Sequence, residues 1–301
     1  MSSLIKLSHT AKEKYLTSPR GYFYHYHLYL REKTQGSPLF FGSLIETGLD
    51  ALFKGATLEQ ALEVFRNNFK TIKANGDVLN LSTSPLIRYS KADLDLAVFT
   101  EDELKKLEGK SVQFQSWLSL QRKGELLIEA YQRDILPKIK KVLATQVYFS
   151  IPNDVGDEIT GYADLICEWE DGRIIIPDHK TSSMSAKQVA KNEGYLKQTA
   201  LYFEAFKDKY PLDSTGFIVL EKNIRKKEPR ARVDFIFEKP TEEIIDQTFE
   251  EFDSVLQSIK QAEFPCLSPK CDMYGQQCCY KKFCTSGGTD MTGLVKVGKS
   301  K

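Results

Sequence analysis

Apolar positions along the chain change their spacing near residue 143, and that change separates two kinds of structure. Before it the spacing is helical. Residues 10–35 carry a helical pattern dense in aromatics, SPRGYFYHYHLYLRE, closed by a Gly-Ser-Pro turn. A second helix is predicted at about 42–54, where Leu44, Ile45, Leu49, Leu52 and Phe53 recur on one face. Thr57 reads as the N-cap of a third helix, TLEQALEVFRNNF, with Gln60 completing a capping box. Residues 74–111 are polar and irregular, a loop-rich stretch. Helix resumes from Phe114 to Ile135 and stops at Pro137.

After residue 143 the period becomes two. QVYFSI, DEITGYADLICEW and GRIIIPDHK read as three strands, a helix follows at about 194–209, and TGFIVLEK and RARVDFIFEK read as two further strands. Thr241-Glu-Glu opens a last helix that runs to about Phe264. The order βββαββα after a helical half predicts an α/β core with a mixed central sheet flanked by helices. The expected organisation is a single domain over 1–301: N-terminal helices in 1–72, a helical insertion in 73–142, the sheet core in 143–240, a C-terminal helix and Cys-rich clip in 241–285, and a flexible tail in 286–301.

Composition narrows the classes. The chain is 41% hydrophobic and 28% charged with a net charge of +1, which excludes a globally basic nucleic-acid binder but leaves room for a local basic patch. No apolar run is long enough to span a bilayer, so no membrane partner is expected. The start, MSSLIKLSHTAKEKY, lacks the apolar core of a secretory signal. Five of the six cysteines lie within Cys266–Cys284, which reads as metal binding before disulfides. The expected location is the cytoplasm, or a host cytoplasm for a phage-encoded protein.

The chemistry concentrates in IIIPDHKTSS, Ile174 to Ser183, where a buried-looking strand ends in Asp178, His179 and Lys180. Buried charges cost several kcal/mol, roughly, unless paired. Asp164 lies in the preceding strand. A two-residue turn at Asp171-Gly172 would set Asp164 opposite His179. A three-residue loop, Glu170-Asp171-Gly172 with the glycine left-handed, would set Asp164 opposite Asp178 with both carboxylates on one face. Pro177 cannot donate to a ladder and marks a distortion beside them. Two adjacent carboxylates repel unless a cation or proton lies between them, and a hard divalent ion favours such oxygens. The bland alternative is a rim salt bridge between Asp178 and Lys180, with Asp164 solvated.

Four features in order make the sequence resemble the PD-(D/E)XK nuclease superfamily, in its RecB-like exonuclease branch, related to CRISPR-associated and phage exonucleases. They are SPRGYFYHYHLYL leading into FGSLIETGLDAL, the strand GYADLI, the stretch PDHKTSS, and the helix segment QTALYFEAF with its Gln-x-x-x-Tyr; together they span about residues 18 to 206. The resemblance implies a restriction-endonuclease-like core and metal-dependent hydrolysis of DNA. It implies Asp164, Asp178 and Glu46 as ligands of Mg²⁺ or Mn²⁺, joined by the backbone carbonyl of His179, with Lys180 positioning or activating water. The His179 side chain is expected to stand aside. Glu46 sits where many relatives carry a histidine. Gln198 and Tyr202 share one helix face that, in the family, meets nucleic acid or supports the lysine.

The resemblance also implies a [4Fe–4S] cluster, held by one cysteine before the first core helix and three near the C-terminus. Here the first position reads Ser18-Pro19-Arg20, and serine is a poor thiolate substitute. Cys266, Cys271, Cys278 and Cys284 remain as ligands, with Cys279 to spare. Three readings stay open: a cluster or Zn²⁺ on four of these cysteines, a cluster with an unusual fourth ligand, or thiols without metal.

For nucleic acid, the segment KNIRKKEPRARV offers Arg225, Lys226 and Lys227 as phosphate contacts, and Arg20 is a further one. The aromatic run Tyr22–Tyr29 reads as core packing before base stacking. The leading expectation is a DNA exonuclease in recombination, repair or phage DNA processing, partnered by a helicase, single-strand-binding or recombination protein. No Gly-x-x-x-x-Gly-Lys-Ser/Thr occurs, so unwinding must come from a partner. The alternatives are a structure-selective endonuclease of the same fold and a decayed nucleic-acid-binding module.

Overall fold

The computed structural model describes residues 4–153, 156–224, 230–266 and 278–298. A short strand, β1 (Lys6–Ser8), runs into α1 (His9–Thr17), which Ser8 caps by accepting from the Ala11 amide. Pro19 interrupts what the pattern predicted as one long helix. Ser18 before it is extended, as residues before proline tend to be, and Ser18 then caps α2 (Pro19–Tyr22) through the Gly21 amide. The aromatic run continues as one π-helical turn, Phe23–His27, and gives way to β2 (Leu30–Glu32) and β3 (Gln35–Gly36).

Next come α3 (Ser37–Phe53) and α4 (Leu58–Asn68), the latter with the expected Thr57–Gln60 capping box. Residues 73–142 are less helical than expected. β4 (Thr71–Ala74) and β5 (Asp77–Asn80) form a hairpin whose turn, Asn75-Gly76, has φ of 54° and 94° as a type I′ turn requires. β6 (Ile87–Arg88) pairs with β3, and α5 (Glu101–Leu107) and α6 (Val112–Asp134) complete the stretch.

The main sheet is built from β7 (Ile139–Pro152), β8 (Glu158–Trp169), β9 (Ile174–Ser182), β10 (Leu212–Glu221) and β11 (Arg232–Glu238), with β1 added. Pairing is antiparallel except for β1 with β8 and β9 with β10, so the sheet is mixed, as predicted. Between β9 and β10 lie α7 (Ala186–Val189) and α8 (Glu193–Phe206); α9 (Glu242–Lys260) follows β11. Two apolar layers sandwich the sheet. On one face α3, α4 and α6 supply Ile45, Phe65 and Tyr131 against Leu165, Cys167 and Ile175. On the other, α1, α8 and α9 supply Ala11, Leu201 and Phe252 against Ile159, Ala163 and Ile176.

The segment expected as a loose tail is tied down. After α10 (Lys281–Thr285), the strand β12 (Leu294–Lys296) pairs with β2, and Leu294 packs with Tyr24, Leu30, Tyr280 and Phe283. Its Gly- and Thr-rich flanks concealed one short apolar strand. No helix among the described residues is long and apolar enough to cross a membrane.

Candidate active site

The hairpin between β8 and β9 takes the three-residue form. Trp169 and Arg173 close it with a 2.8 Å hydrogen bond, and Gly172 has φ of 88°. The resulting register pairs Glu168 with Ile174 and Cys167 with Ile175, and its continuation sets Asp164 opposite Asp178. The ladder does not continue that far. It ends two residues before Pro177, which has no amide hydrogen to give, and β9 parts from β8 while keeping its pairing with β10 from Ile174 to Ser182. Farther along the same edge of β8, β1 takes over at residues 158–160. Between these partners the edge carries no strand among the described residues, and a side chain fills the fork: the Asp164 carboxylate accepts the His179 amide at 3.1 Å.

Strand alternation also breaks at Asp164. Ile159 and Ala163 point to the α8 layer, whereas the equally odd-numbered Leu165 and Cys167 point to the α3 layer. Across the ladder, Gln146 lies between the pairs Thr145–Leu165 and Val147–Ala163 with φ of 49°, and its amide reaches Asp164 at 3.4 Å. Paired distortions of this kind re-aim a side chain.

On the α8 face of β9, Asp178 is 3% exposed. Its Oδ1 accepts the Tyr202 hydroxyl at 2.9 Å and the Gln198 amide at 3.0 Å, and its Oδ2 lies 2.7 Å from Lys180 Nζ. Lys180 also donates to Gln198 Oε1 at 2.8 Å and lies 4.9 Å from the centre of the Tyr195 ring. Burial opposes the lysine's charge, but Asp178 outweighs it and holds the ammonium above its ordinary pKa.

On the α3 face, His179 is locked at both ring nitrogens. Nδ1 lies 3.2 Å from Glu46 Oε2 and Nε2 lies 3.0 Å from the Tyr131 hydroxyl, with Phe53 stacked on the ring. Its side chain is therefore part of the site and not the bystander expected. Burial pushes its pKa down, yet Glu46, Asp164 and Asp178 reverse that and raise it to about 9. Burial, then the charges of Asp178 and Glu46, push Asp164 up to about 7.

Glu46, Asp164 and His179 each bring a ligand atom within 4.8 Å of the others; Asp178 stands outside that group. Both imidazole nitrogens are already hydrogen-bonded, so the donors left for an ion are carboxylate oxygens. Burial, reinforced by the neighbouring carboxylates, holds a proton on Asp164 near neutrality, which is the condition a hard divalent cation relieves. The residues fit such an ion.

Other expected contacts fall elsewhere. Tyr202, expected on the nucleic-acid-contacting face, is 3% exposed with its hydroxyl engaged by Asp178, so it lies beneath the site. Arg20 donates from Nε to the Phe264 carbonyl at 2.7 Å. Arg225, Lys226, Lys227 and Cys271 lie outside the described residues. Cys266 and Cys284 face each other at 3.9 Å between sulfurs, and Cys278 lies in the adjoining segment. Among the described residues no three cysteines come together to share an ion, and Ser18 is committed to capping α2.

Sequence reading missed Tyr131, Tyr195, Gln146 and His9. The charges of Lys180 and Asp178 reach His9, whose Nδ1 is buried without a hydrogen-bond partner; burial first, then Lys12, lowers its pKa to about 4. No local pattern marks it, because its position depends on β1 joining β8.

A model of the PD-(D/E)XK nuclease superfamily matches residues 6–285, and the chain belongs to that superfamily. Membership indicates a metal-binding nuclease with DNA as its substrate class. No curated protein matches the chain.

Proposed function

We propose that this nuclease is a DNA exonuclease of the RecB-like branch, dependent on Mg²⁺ or Mn²⁺, with 1–301 acting as one catalytic domain. The observation that carries the reading is the fork between β8 and β9. It brings Asp164 beside Glu46 on one side and keeps Asp178 and Lys180 hydrogen-bonded on the other. In this reading Glu46 and Asp164 hold the ion, with Asp178 beside them. Bound there, a divalent ion supplies positive charge against the scissile phosphate and makes a neighbouring water more acidic.

The chain's own groups do the rest. Lys180 stays protonated at neutral pH, so it acts as a fixed cation where negative charge accumulates and not as a base. Gln198 and Tyr202 hold Asp178, and through Gln198 the lysine, in one orientation. Tyr131 and Phe53 hold His179, which in turn fixes Glu46 and, through its amide, Asp164. A hydrogen-bonded Asp164, Asp178 and Lys180 favour an enzyme over a decayed binding module. Roles in recombination, repair or phage DNA processing, with a helicase or single-strand-binding partner, follow from the branch.

The test uses 5′- and 3′-labelled linear DNA beside covalently closed circles, with Mg²⁺, Mn²⁺ or chelator. The expected result is metal-dependent release of short products from linear ends and intact circles. Cut circles would replace the exonuclease with an endonuclease, and no cleavage with any divalent ion would overturn the enzymatic reading.

A further inference from the structure

Among the described residues, Tyr148 and Tyr162 are the only Phe, Trp or Tyr side chains that stand exposed, at 47% and 58%. They are direct partners across β7 and β8, and their rings meet edge to face with centroids 5.3 Å apart. Such a pair has an ordinary structural use, since cross-strand aromatics help fix register. Its position gives it another.

Tyr162 precedes Asp164 by two residues on β8, about 7 Å along the strand. Alternation breaks at Asp164, and it is the approach of its carboxylate to Glu46 that places the acid on the α3 side. Ala163 between them is buried in the α8 layer, so the tyrosines look out of the opposite face, the one carrying Asp164 and Glu46. Helices of the α3 layer cover Leu165 and Cys167 on that face but leave the tyrosine pair open. Beside the pair runs the edge of β8 that lacks a strand partner, and farther along it the Lys6 ammonium sits on Glu158 at 2.8 Å. The aromatic pair thus lies beside the acid cluster along β8.

We propose that Tyr148 and Tyr162 form a stacking platform for an unpaired base of the substrate strand, so that the site takes single-stranded or frayed DNA ends. The proposal rests on the nuclease reading of the neighbouring acids. A base entering this face stacks on the rings while the phosphate one nucleotide along comes toward the place where Glu46 and Asp164 would hold an ion. Every base has a π-face, so the platform discriminates single strand from duplex and not one sequence from another. A blunt duplex keeps its bases stacked on each other and has none to offer.

The test is binding of single-stranded oligonucleotides carrying 2-aminopurine at successive positions from each end, measured in EDTA by fluorescence quenching and anisotropy. Wild type is expected to quench the probe at one position near an end. The double variant Tyr148→Ala/Tyr162→Ala should lose that quenching and bind about tenfold more weakly. The double phenylalanine variant should keep both, and a blunt duplex should bind all three proteins alike. Unchanged quenching and affinity in the alanine variant would overturn the platform, as would an equal loss for duplex and single strand. Chelation removes cleavage from the measurement, so this outcome is separable from that of the nuclease reading, which depends on the metal-dependent assay.

Discussion

The two faces of β9 hold charged residues in opposite ways. On the α8 face one carboxylate, Asp178, meets one ammonium and two neutral donors, and each partner is held by another. On the α3 face two carboxylates, Glu46 and Asp164, share one imidazole and one backbone amide. The first arrangement is electrically closed and rigid. The second carries surplus negative charge, and Asp164 answers by holding a proton up to about pH 7. One strand thus presents a finished scaffold on one side and a cation-seeking cluster on the other, because alternation sends Asp178 and His179 to opposite faces.

Breaking the closed side should have the largest effect. Asp178→Ala leaves Lys180 without its counter-ion and is expected to reduce cleavage about a thousandfold or more. It should also destabilise the fold by about 2 kcal/mol, less than a fully buried pair because the Lys180 side chain is 21% exposed. Adding Lys180→Met to Asp178→Ala should restore much of that stability and none of the activity, as read by urea unfolding and the labelled-end assay. Full stability in the single variant would show that the pair is not the scaffold described.

The open side is tested by pH. Asp164 has a folded pKa raised above its ordinary 3.8, so metal-free protein loses stability as pH rises from about 4 to 7. His179, raised above 6.5 to about 9, contributes stability that is complete below about pH 6.5 and lost as pH rises through 9. Both windows point the same way. Binding an ion must displace the Asp164 proton, so apparent Mg²⁺ or Mn²⁺ affinity should rise by up to about tenfold per pH unit below 7 and then level off. Melting curves across pH with and without Mn²⁺ would check this. Asp164→Asn should remove the lower window, stabilise the metal-free protein at pH 8 and lose metal affinity.

The contrast explains which parts of the site the sequence could reveal. Asp164, Asp178, Lys180 and the hairpin lie within a short span, so alternation and one glycine at a left-handed position marked them as candidates. The β-core and mixed sheet were legible for the same reason. Alternation also put both acids on one face. That expectation fails because the break at Asp164 turns its carboxylate toward Glu46 on the α3 side while Asp178 stays on the α8 side. The fork itself was only half legible: Pro177 signalled a distortion, but β1 taking the far end of the same edge of β8 is a pairing across some 150 residues with no local mark. His9 and Tyr131 come to the site only through such long-range packing. Treating the His179 side chain as a bystander failed because Glu46 and Tyr131, which grip it, arrive from separate helices.

The smallest effect sharpens the comparison most, because it asks whether the closed side touches substrate. Tyr202→Phe removes one hydrogen bond to Asp178 and leaves the ring in the α8 layer, so the fold should stay intact. The Gln198 amide still holds Oδ1 and Lys180 still holds Oδ2, so the carboxylate keeps its place with less restraint. Loss of one such supporting bond is expected to lower kcat about tenfold. The KM for DNA should be unchanged, since a hydroxyl spent on Asp178 has none left for a phosphate. A raised KM with normal kcat would instead make Tyr202 a substrate contact, and the α8 face of β9 would then open to nucleic acid during turnover.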